Sequence, residues 1–253
     1  MKNNTVFIIS AVIAAVTLFS SCGFGGGTVQ QGDTTSNTWE DTSDIQTETP
    51  SESDAENGES GESADPERGS ENEGSLFIGD SRTIGLLEYG DLEGDFFATV
   101  GMSVYNILGT RVSVGGEDAS LEEVLARKNY ESIYVMLGIN ELGYDLEHTV
   151  KKYSGLLDFI RERQDGPTVY VEANLHITKK LSDTDGYLSN PALDTLNGRL
   201  SELADGDRTV FIDANPLFDD GNGALDPAKA ADDVHLLARY YAEWGQWIKD
   251  GAY

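Results

Sequence analysis

Four short stretches of this chain carry residue types that together suit acyl transfer: Gly79-Asp80-Ser81-Arg82, Gly101-Met102-Ser103, Gly138-Ile139-Asn140-Glu141 and Asp232-Asp233-Val234-His235-Leu236. A serine hydroxyl is a weak nucleophile at neutral pH and needs a base to take its proton. Histidine is the usual base, and a carboxylate beside it fixes which ring nitrogen carries the proton. Backbone N–H groups and a side-chain amide then hold the oxyanion that develops on an attacked carbonyl. Each stretch alone is common. Gly-Asp-Ser is turn composition, Gly101 reads as a turn glycine, and Asn140 suits a left-handed turn. The chain has three histidines, His148, His176 and His235. Two of them follow an aspartate by three residues: Asp145 before His148, and Asp232 before His235. Residues i and i+3 are neighbours in a helical turn, so either aspartate can reach its imidazole. His148 opens a surface-type helix, where a solvated role suits it, but the spacing by itself leaves both open.

The elements that must position these residues alternate. Ser75–Gly79 (SLFIG), Phe96–Val100 (FFATV), Glu131–Gly138 (ESIYVMLG), Thr168–Ala173 (TVYVEA) and Thr209–Asp213 (TVFID) are short runs rich in β-branched and aromatic residues, and they predict five strands. Between them lie helical patterns. Ser120-Leu121-Glu122-Glu123 is a capping box opening a helix to about Lys128. Helical spacing recurs over 147–163, 191–204 and 236–249, the last with Tyr240, Trp244 and Trp247 near one face, read as core packing. Strand–helix alternation implies right-handed crossovers and a parallel sheet covered on both faces. Ligands of such sheets bind beyond the carboxyl ends of the strands. The first three chemical stretches follow strands one, two and three directly, and the fourth stands just before the last helix.

Taken in order, the four stretches resemble the blocks of the GDSL/SGNH hydrolases, and the resemblance covers essentially all of 75–253. It implies a flavodoxin-like three-layer α/β/α sandwich around a five-stranded parallel sheet. It also implies Ser81 as nucleophile, His235 as general base and then general acid, and Asp232 as the group orienting His235. The oxyanion donors it implies are the backbone N–H groups of Ser81 and Gly101 and the amide of Asn140. Glu141 follows Asn140 where that family commonly has Asp, and Asp233 stands where a small residue often precedes the Val-His pair. Asp233 is therefore expected to put a second carboxylate near His235 and raise its pKa. An α/β-hydrolase elbow, G-x-S-x-G, does not fit, because Thr83 stands two residues past Ser81.

Upstream, Lys2 precedes an apolar run from Thr5 to Ser20 that ends Leu18-Phe19-Ser20-Ser21-Cys22-Gly23. A basic start, a short apolar centre and small residues at the end describe a secretory signal. The ending resembles a bacterial lipobox, with Phe19 where Leu is usual, and implies diacylation of Cys22. An uncleaved signal anchor is the other reading, and both tether the chain to the outer face of a bacterial cell membrane. Residues 23–74 carry a charge of −13 and few large apolar side chains. Such a segment cannot offset its ordering entropy and reads as a disordered acidic linker, whose coil span is roughly 40 Å. The domain organisation expected is thus a lipoprotein signal over 1–22, a linker over 23–74 and a catalytic domain over 75–253.

The whole chain carries −28, of which −16 belongs to 75–253. That charge repels phosphate backbones, so nucleic acid is excluded as a partner. Cys22 is the one cysteine, so no intramolecular disulfide forms. No His/Asp/Glu cluster has convincing ligand spacing, and neither a metal nor a cofactor is required. With no long apolar lid segment and an acidic surface, the expected substrate is a short acyl ester, O-acetyl first, on cell-wall or extracellular carbohydrate. Acyl transfer to a sugar would use identical residues. A lipid-anchored binding protein without turnover is the reading from another class, but a pure binder needs no carboxylate-backed histidine beside a serine. The sequence is silent on oligomeric state and on Trp39.

Overall fold

The computed structural model describes residues 74–251 and 253. The signal expected over 1–22, with Cys22, lies outside the described residues, as does the expected linker apart from Gly74. Among the described residues no helix is long and apolar enough to cross a membrane.

In chain order the strands are β1 (Ser75–Gly79), β2 (Asp95–Ala98), β3 (Arg111–Val114), β4 (Glu117–Ser120), β5 (Ser132–Met136), β6 (Thr168–Glu172) and β7 (Thr209–Ile212). The helices are α1 (Ser81–Tyr89), α2 (Leu121–Arg127), α3 (Leu146–Arg161), α4 (Lys179–Thr184), α5 (Asn190–Ser201), α6 (Asn215–Phe218) and α7 (Ala238–Asp250). Five strands form one parallel sheet in the order β2-β1-β5-β6-β7, the flavodoxin-like arrangement. These are the five expected runs, with ends moved by one or two residues. The sequence reading did not anticipate α1, α4, α6 or the antiparallel hairpin of β3 and β4. That hairpin turns on Gly115-Gly116, whose φ values of +64° and +86° suit a two-residue loop closing a right-twisted pair.

Side-chain alternation along each strand builds a core on each face of the sheet. Leu76, Ile78, Ile133, Val135, Val169 and Val171 face one way and pack on α2, α3 and α5. Phe77, Phe96, Tyr134, Met136 and Ile212 face the other way, against α1, α6 and α7. The expected three layers follow. Phe96, Phe77, Tyr134 and Tyr170 are directly paired across β2, β1, β5 and β6, so their rings stack at 4.6, 4.9 and 4.6 Å. That spacing matches the distance between neighbouring strands. The capping box is present, with Ser120 N–H donating to Glu123 Oε2 at 2.8 Å and Glu123 N–H to Ser120 Oγ at 3.3 Å.

The contact of α1 with α7 matters most for the site, since Ser81 opens one helix and His235 precedes the other. Both helices approach through glycine. A Cβ on Gly85 would lie 2.2 Å from the Tyr241 ring, and one on Gly245 would lie 1.8 Å from the Gly90 carbonyl oxygen. Any larger residue at either point would push the two helices apart, and with them the serine and the histidine.

One core residue is at odds with its surroundings. Glu172, at the end of β6, is buried, and its Oε1 has no hydrogen-bond partner. Burial pushes its pKa up to about 8, with the Arg82 charge opposing. The folded state therefore holds a proton that the unfolded chain, with an ordinary glutamate value of 4.5, has already released. Stability is full below the unfolded value and falls as pH rises toward the folded one. Glu172→Gln should remove this dependence and gain stability over wild type at pH 9, on the order of a few kcal/mol. Thermal unfolding of both proteins from pH 5 to 9 at fixed ionic strength checks it; parallel curves would refute it.

Candidate active site

The ends of the adjacent strands β2, β1 and β5 are level. Gly79 pairs with Ala98 on one side and with Met136 on the other. Ser81 lies two residues beyond Gly79, Gly101 three beyond Ala98, and Asn140 four beyond Met136. All three thus emerge at the carboxyl edge of adjacent strands β2, β1 and β5. Ser81 is the first residue of α1, and Asp80 caps that helix by accepting the Arg82 N–H at 2.9 Å. The Ser81 N–H therefore belongs to the first turn, whose donors lack intrahelical partners.

His235 reaches this edge from a tight loop before α7. The Ala231 N–H donates to the His235 carbonyl at 2.8 Å, and Ala230 and Leu236 form an antiparallel bridge. Inside the loop Asp232 Oδ1 accepts the N–H groups of Val234 and His235, both at 2.7 Å. Asp232 Oδ2 lies 2.9 Å from His235 Nδ1, and His235 Nε2 lies 2.8 Å from Ser81 Oγ. The three-residue spacing thus works through an aspartate-capped turn, not through a helix. Burial alone would raise the Asp232 pKa, but the two N–H bonds and the imidazole outweigh it and hold it below the ordinary value. An ionised carboxylate only accepts, so Nδ1 carries the ring proton and Nε2 is left to accept from the serine hydroxyl.

The other two histidines are committed elsewhere. Asp145 spends its carboxylate on the His148 N–H, at 2.7 Å, as the cap of α3, and the exposed His148 ring stacks on Tyr105. Buried His176 has a carboxylate at each nitrogen, Asp219 at Nδ1 (2.9 Å) and Asp194 at Nε2 (2.8 Å). Burial would lower its pKa, but the two carboxylates raise it on balance, which favours a fixed cation over a base. Asp233 does not serve His235 as expected. Its carboxylate accepts from Thr178 Oγ1 at 2.6 Å and Lys180 Nζ at 3.0 Å, which lowers its pKa and ties the histidine loop to the start of α4. Asp232 is the carboxylate on the imidazole.

Sequence comparison bears on what such a site belongs to. Residues 77–242 match the model of the GDSL-like lipase/acylhydrolase family. The chain belongs to this family. No curated protein matches it in sequence. Among solved structures, a protein from Streptococcus pneumonia whose description names platelet activating factor is 18% identical over 73% of this chain and 86% of that one, with a TM-score of 0.57. An acetyl xylan esterase is 14% identical, with a TM-score of 0.54, over 71% of this chain and 100% of its own. A GDSL-like lipase from Bacteroides thetaiotaomicron is 14% identical, with a TM-score of 0.52, over 70% and 86%. These similarities are of fold.

This GDSL-like acylhydrolase domain braces its serine turn with residues whose part was not legible beforehand. Arg82 is buried directly after Ser81 and grips Asp80 with two bonds, Nε to Oδ1 at 3.2 Å and Nη2 to Oδ2 at 3.0 Å. Its Nη2 also donates to Asn174 Oδ1 at 2.8 Å, and Asn174 Nδ2 donates to the Leu137 carbonyl at 2.9 Å. The ends of β1, β5 and β6 are thereby joined through one buried guanidinium. Nothing in the type or spacing of Arg82 and Asn174 announced this, because their meeting spans 92 residues. Asn140 Nδ2 donates to the Met102 carbonyl at 3.0 Å, and an amide nitrogen has a second N–H to offer.

A cavity of about 940 Å³ lies elsewhere. Its walls include Ser75, Asp91, Asp250 and Tyr253, at the amino edge of the sheet, away from the serine. A smaller cavity of about 260 Å³ is walled by Glu141, Leu142, Tyr144, Leu146 and Leu196 among others, and Ser81, Gly101, Asn140 and His235 are not part of its wall.

Proposed function

We propose that the protein is a serine esterase that removes short acyl groups, O-acetyl first, from carbohydrate esters outside the cell. The observation that carries this reading is the unbroken relay from Ser81 Oγ to His235 Nε2, 2.8 Å, and from His235 Nδ1 to Asp232, 2.9 Å. In the first half-reaction Ser81 Oγ attacks the ester carbonyl and its proton passes to Nε2. The oxyanion is received by the N–H groups of Ser81 and Gly101 and the amide of Asn140. The alcohol leaves with the proton from Nε2, and an acyl-serine remains. Water then attacks the acyl-serine and gives a proton to Nε2, which passes it to Ser81 Oγ as the acyl–oxygen bond breaks and the acid departs.

A short acyl group on a carbohydrate is also what the name of the acetyl xylan esterase among the structural neighbours describes, on the same kind of fold. The test is a panel of p-nitrophenyl esters of rising chain length beside acetylated glycans, with released acetate counted against acylated acceptor. Turnover should fall steeply beyond about four acyl carbons, as expected of a small site. Faster turnover of long-chain esters would point to a lipase, and acetate recovered mainly on a second sugar would point to acyl transfer.

The proposed setting is the outer face of a bacterial membrane, with Cys22 as the lipid anchor. Cys22→Ser should abolish metabolic labelling by fatty acid. Equal labelling of the variant and wild type would rule the anchor out.

A further inference from the structure

Glu141, directly after Asn140, has no part in the reaction just described, and its surroundings give it one. It is 2% exposed, and it closes the short 3₁₀ turn Ile139–Glu141 that carries Asn140. Its Oε1 accepts the Val104 N–H at 2.7 Å, across 37 residues of sequence. Asn140, its neighbour in the same turn, donates to the Met102 carbonyl at 3.0 Å. Two consecutive side chains of one turn thus grip the Gly101 loop on either side of Ser103, one as donor and one as acceptor. Gly101 is the residue next to Met102. Its position relative to the Asn140 amide is therefore set by this double grip together with Asn106, whose Nδ2 donates to the Gly101 carbonyl at 3.1 Å and whose Oδ1 accepts the Ser103 N–H at 2.9 Å.

We propose that Glu141 is a positioning residue that fixes the spacing of two oxyanion donors, the Gly101 N–H and the Asn140 amide, by holding the Val104 N–H. The inference rests on the esterase reading above. The neighbouring contacts define its scope. Tyr105 ties the far side of the loop to α3 through a 2.8 Å hydroxyl bond with Thr149. Loss of Glu141 should therefore loosen the Gly101 end without releasing the whole loop. Misplaced oxyanion donors weaken the transition state more than the bound ester, so the loss should fall on kcat and not on KM.

The test compares wild type, Glu141→Ala and Glu141→Gln on p-nitrophenyl acetate, with hydrogen exchange of the peptide spanning 99–107 as a readout independent of turnover. Removing one donor outright costs roughly 10²–10³ in kcat, so misplacing donors in Glu141→Ala should cost about 10- to 100-fold. KM should stay within about twofold, because the contacts concerned mature in the transition state. Exchange in 99–107 should quicken while that of β1 and α1 stays as in wild type. Glu141→Gln keeps an oxygen able to accept the Val104 N–H, so it should recover most of the loss and restore protection. Unchanged kcat in Glu141→Ala would overturn the proposal, as would a glutamine variant no better than alanine. Faster exchange throughout the domain would also overturn it, since the role would then be to stabilise the fold. A wild type without Ser81-dependent turnover would overturn this proposal and the esterase reading together, and that result is visible before any Glu141 variant is made.

Discussion

Ser81→Ala is expected to lower kcat by roughly 10⁵–10⁶, because it removes the hydroxyl bonded to His235 and with it the covalent route. The fold should survive. Ser81 is half-buried at the start of α1, while the Asp80 cap and the Arg82 brace use other atoms. Circular dichroism and thermal unfolding of the variant should therefore match wild type while ester turnover disappears. A catalytic unit of this kind is strongly non-additive. The double variant Ser81→Ala/His235→Ala should accordingly be no slower than Ser81→Ala alone. A further large loss in the double variant would mean that His235 acts on something other than Ser81.

His235→Ala should cost almost as much, on the order of 10⁵ or more in kcat, since the serine keeps its place but loses its base. His148→Ala should change kcat by no more than a fewfold, since its ring stacks on Tyr105 and its aspartate caps α3. Asp232→Asn belongs between these limits, near 10⁴, because the imidazole remains but its tautomer is no longer imposed. The pH profile has a fixed sign. Asp232 is held below its ordinary pKa and stays charged, so the acid limb reports the imidazole. Wild-type kcat/KM should fall as pH is lowered and Nε2 takes a proton, because a protonated imidazole cannot accept from Ser81. The measurement is kcat/KM against pH for wild type and the three variants. Activity that rises toward acid pH would require His235 to start the reaction as an acid, contrary to the role assigned.

Much of this architecture is legible in the sequence because it is written in short-range pattern. Runs such as Ser75–Gly79 and Thr168–Glu172 are apolar and β-rich over one strand length, and the capping box at Ser120 needs only four consecutive residues. The elements not anticipated fail that condition for physical reasons. Helix α1 carries Gly85, which lowers helix propensity and is required by the Tyr241 ring against it, so packing overrides the local signal. The β3–β4 hairpin has its glycine pair, but its second strand begins Glu117-Asp118, a solvated start with little β-propensity. Helices α4 and α6 span only Lys179–Thr184 and Asn215–Phe218, too short for a periodic pattern.

The candidate site divides in the same way. Ser81, Gly101 and Asn140 could be placed because each follows a strand, and His235 with Asp232 because their spacing is local. The choice of His235 over His148 needed either family resemblance or coordinates, since both have an aspartate three residues earlier. Coordinates show that one aspartate meets an imidazole nitrogen and the other only a backbone N–H. Arg82, Asn174 and the grip of Glu141 on Val104 join residues far apart in sequence, and no single-chain pattern reports such meetings. Asp233 illustrates the reverse error. Nearness in sequence suggested a partner for His235, while Thr178 and Lys180, more than 50 residues away, take up its carboxylate instead.

The most direct test is covalent. Wild-type protein is treated with a fluorophosphonate probe at neutral pH, its intact mass is recorded, and the adduct is located by peptide mapping. One adduct per chain is expected, on Ser81, with none on Ser81→Ala and strongly slowed labelling of His235→Ala, because activation of this hydroxyl depends on that imidazole. Wild type that takes up no probe, or Ser81→Ala that labels as fully as wild type, would show that the Gly-Asp-Ser turn is a turn and that the nucleophile, if there is one, lies elsewhere.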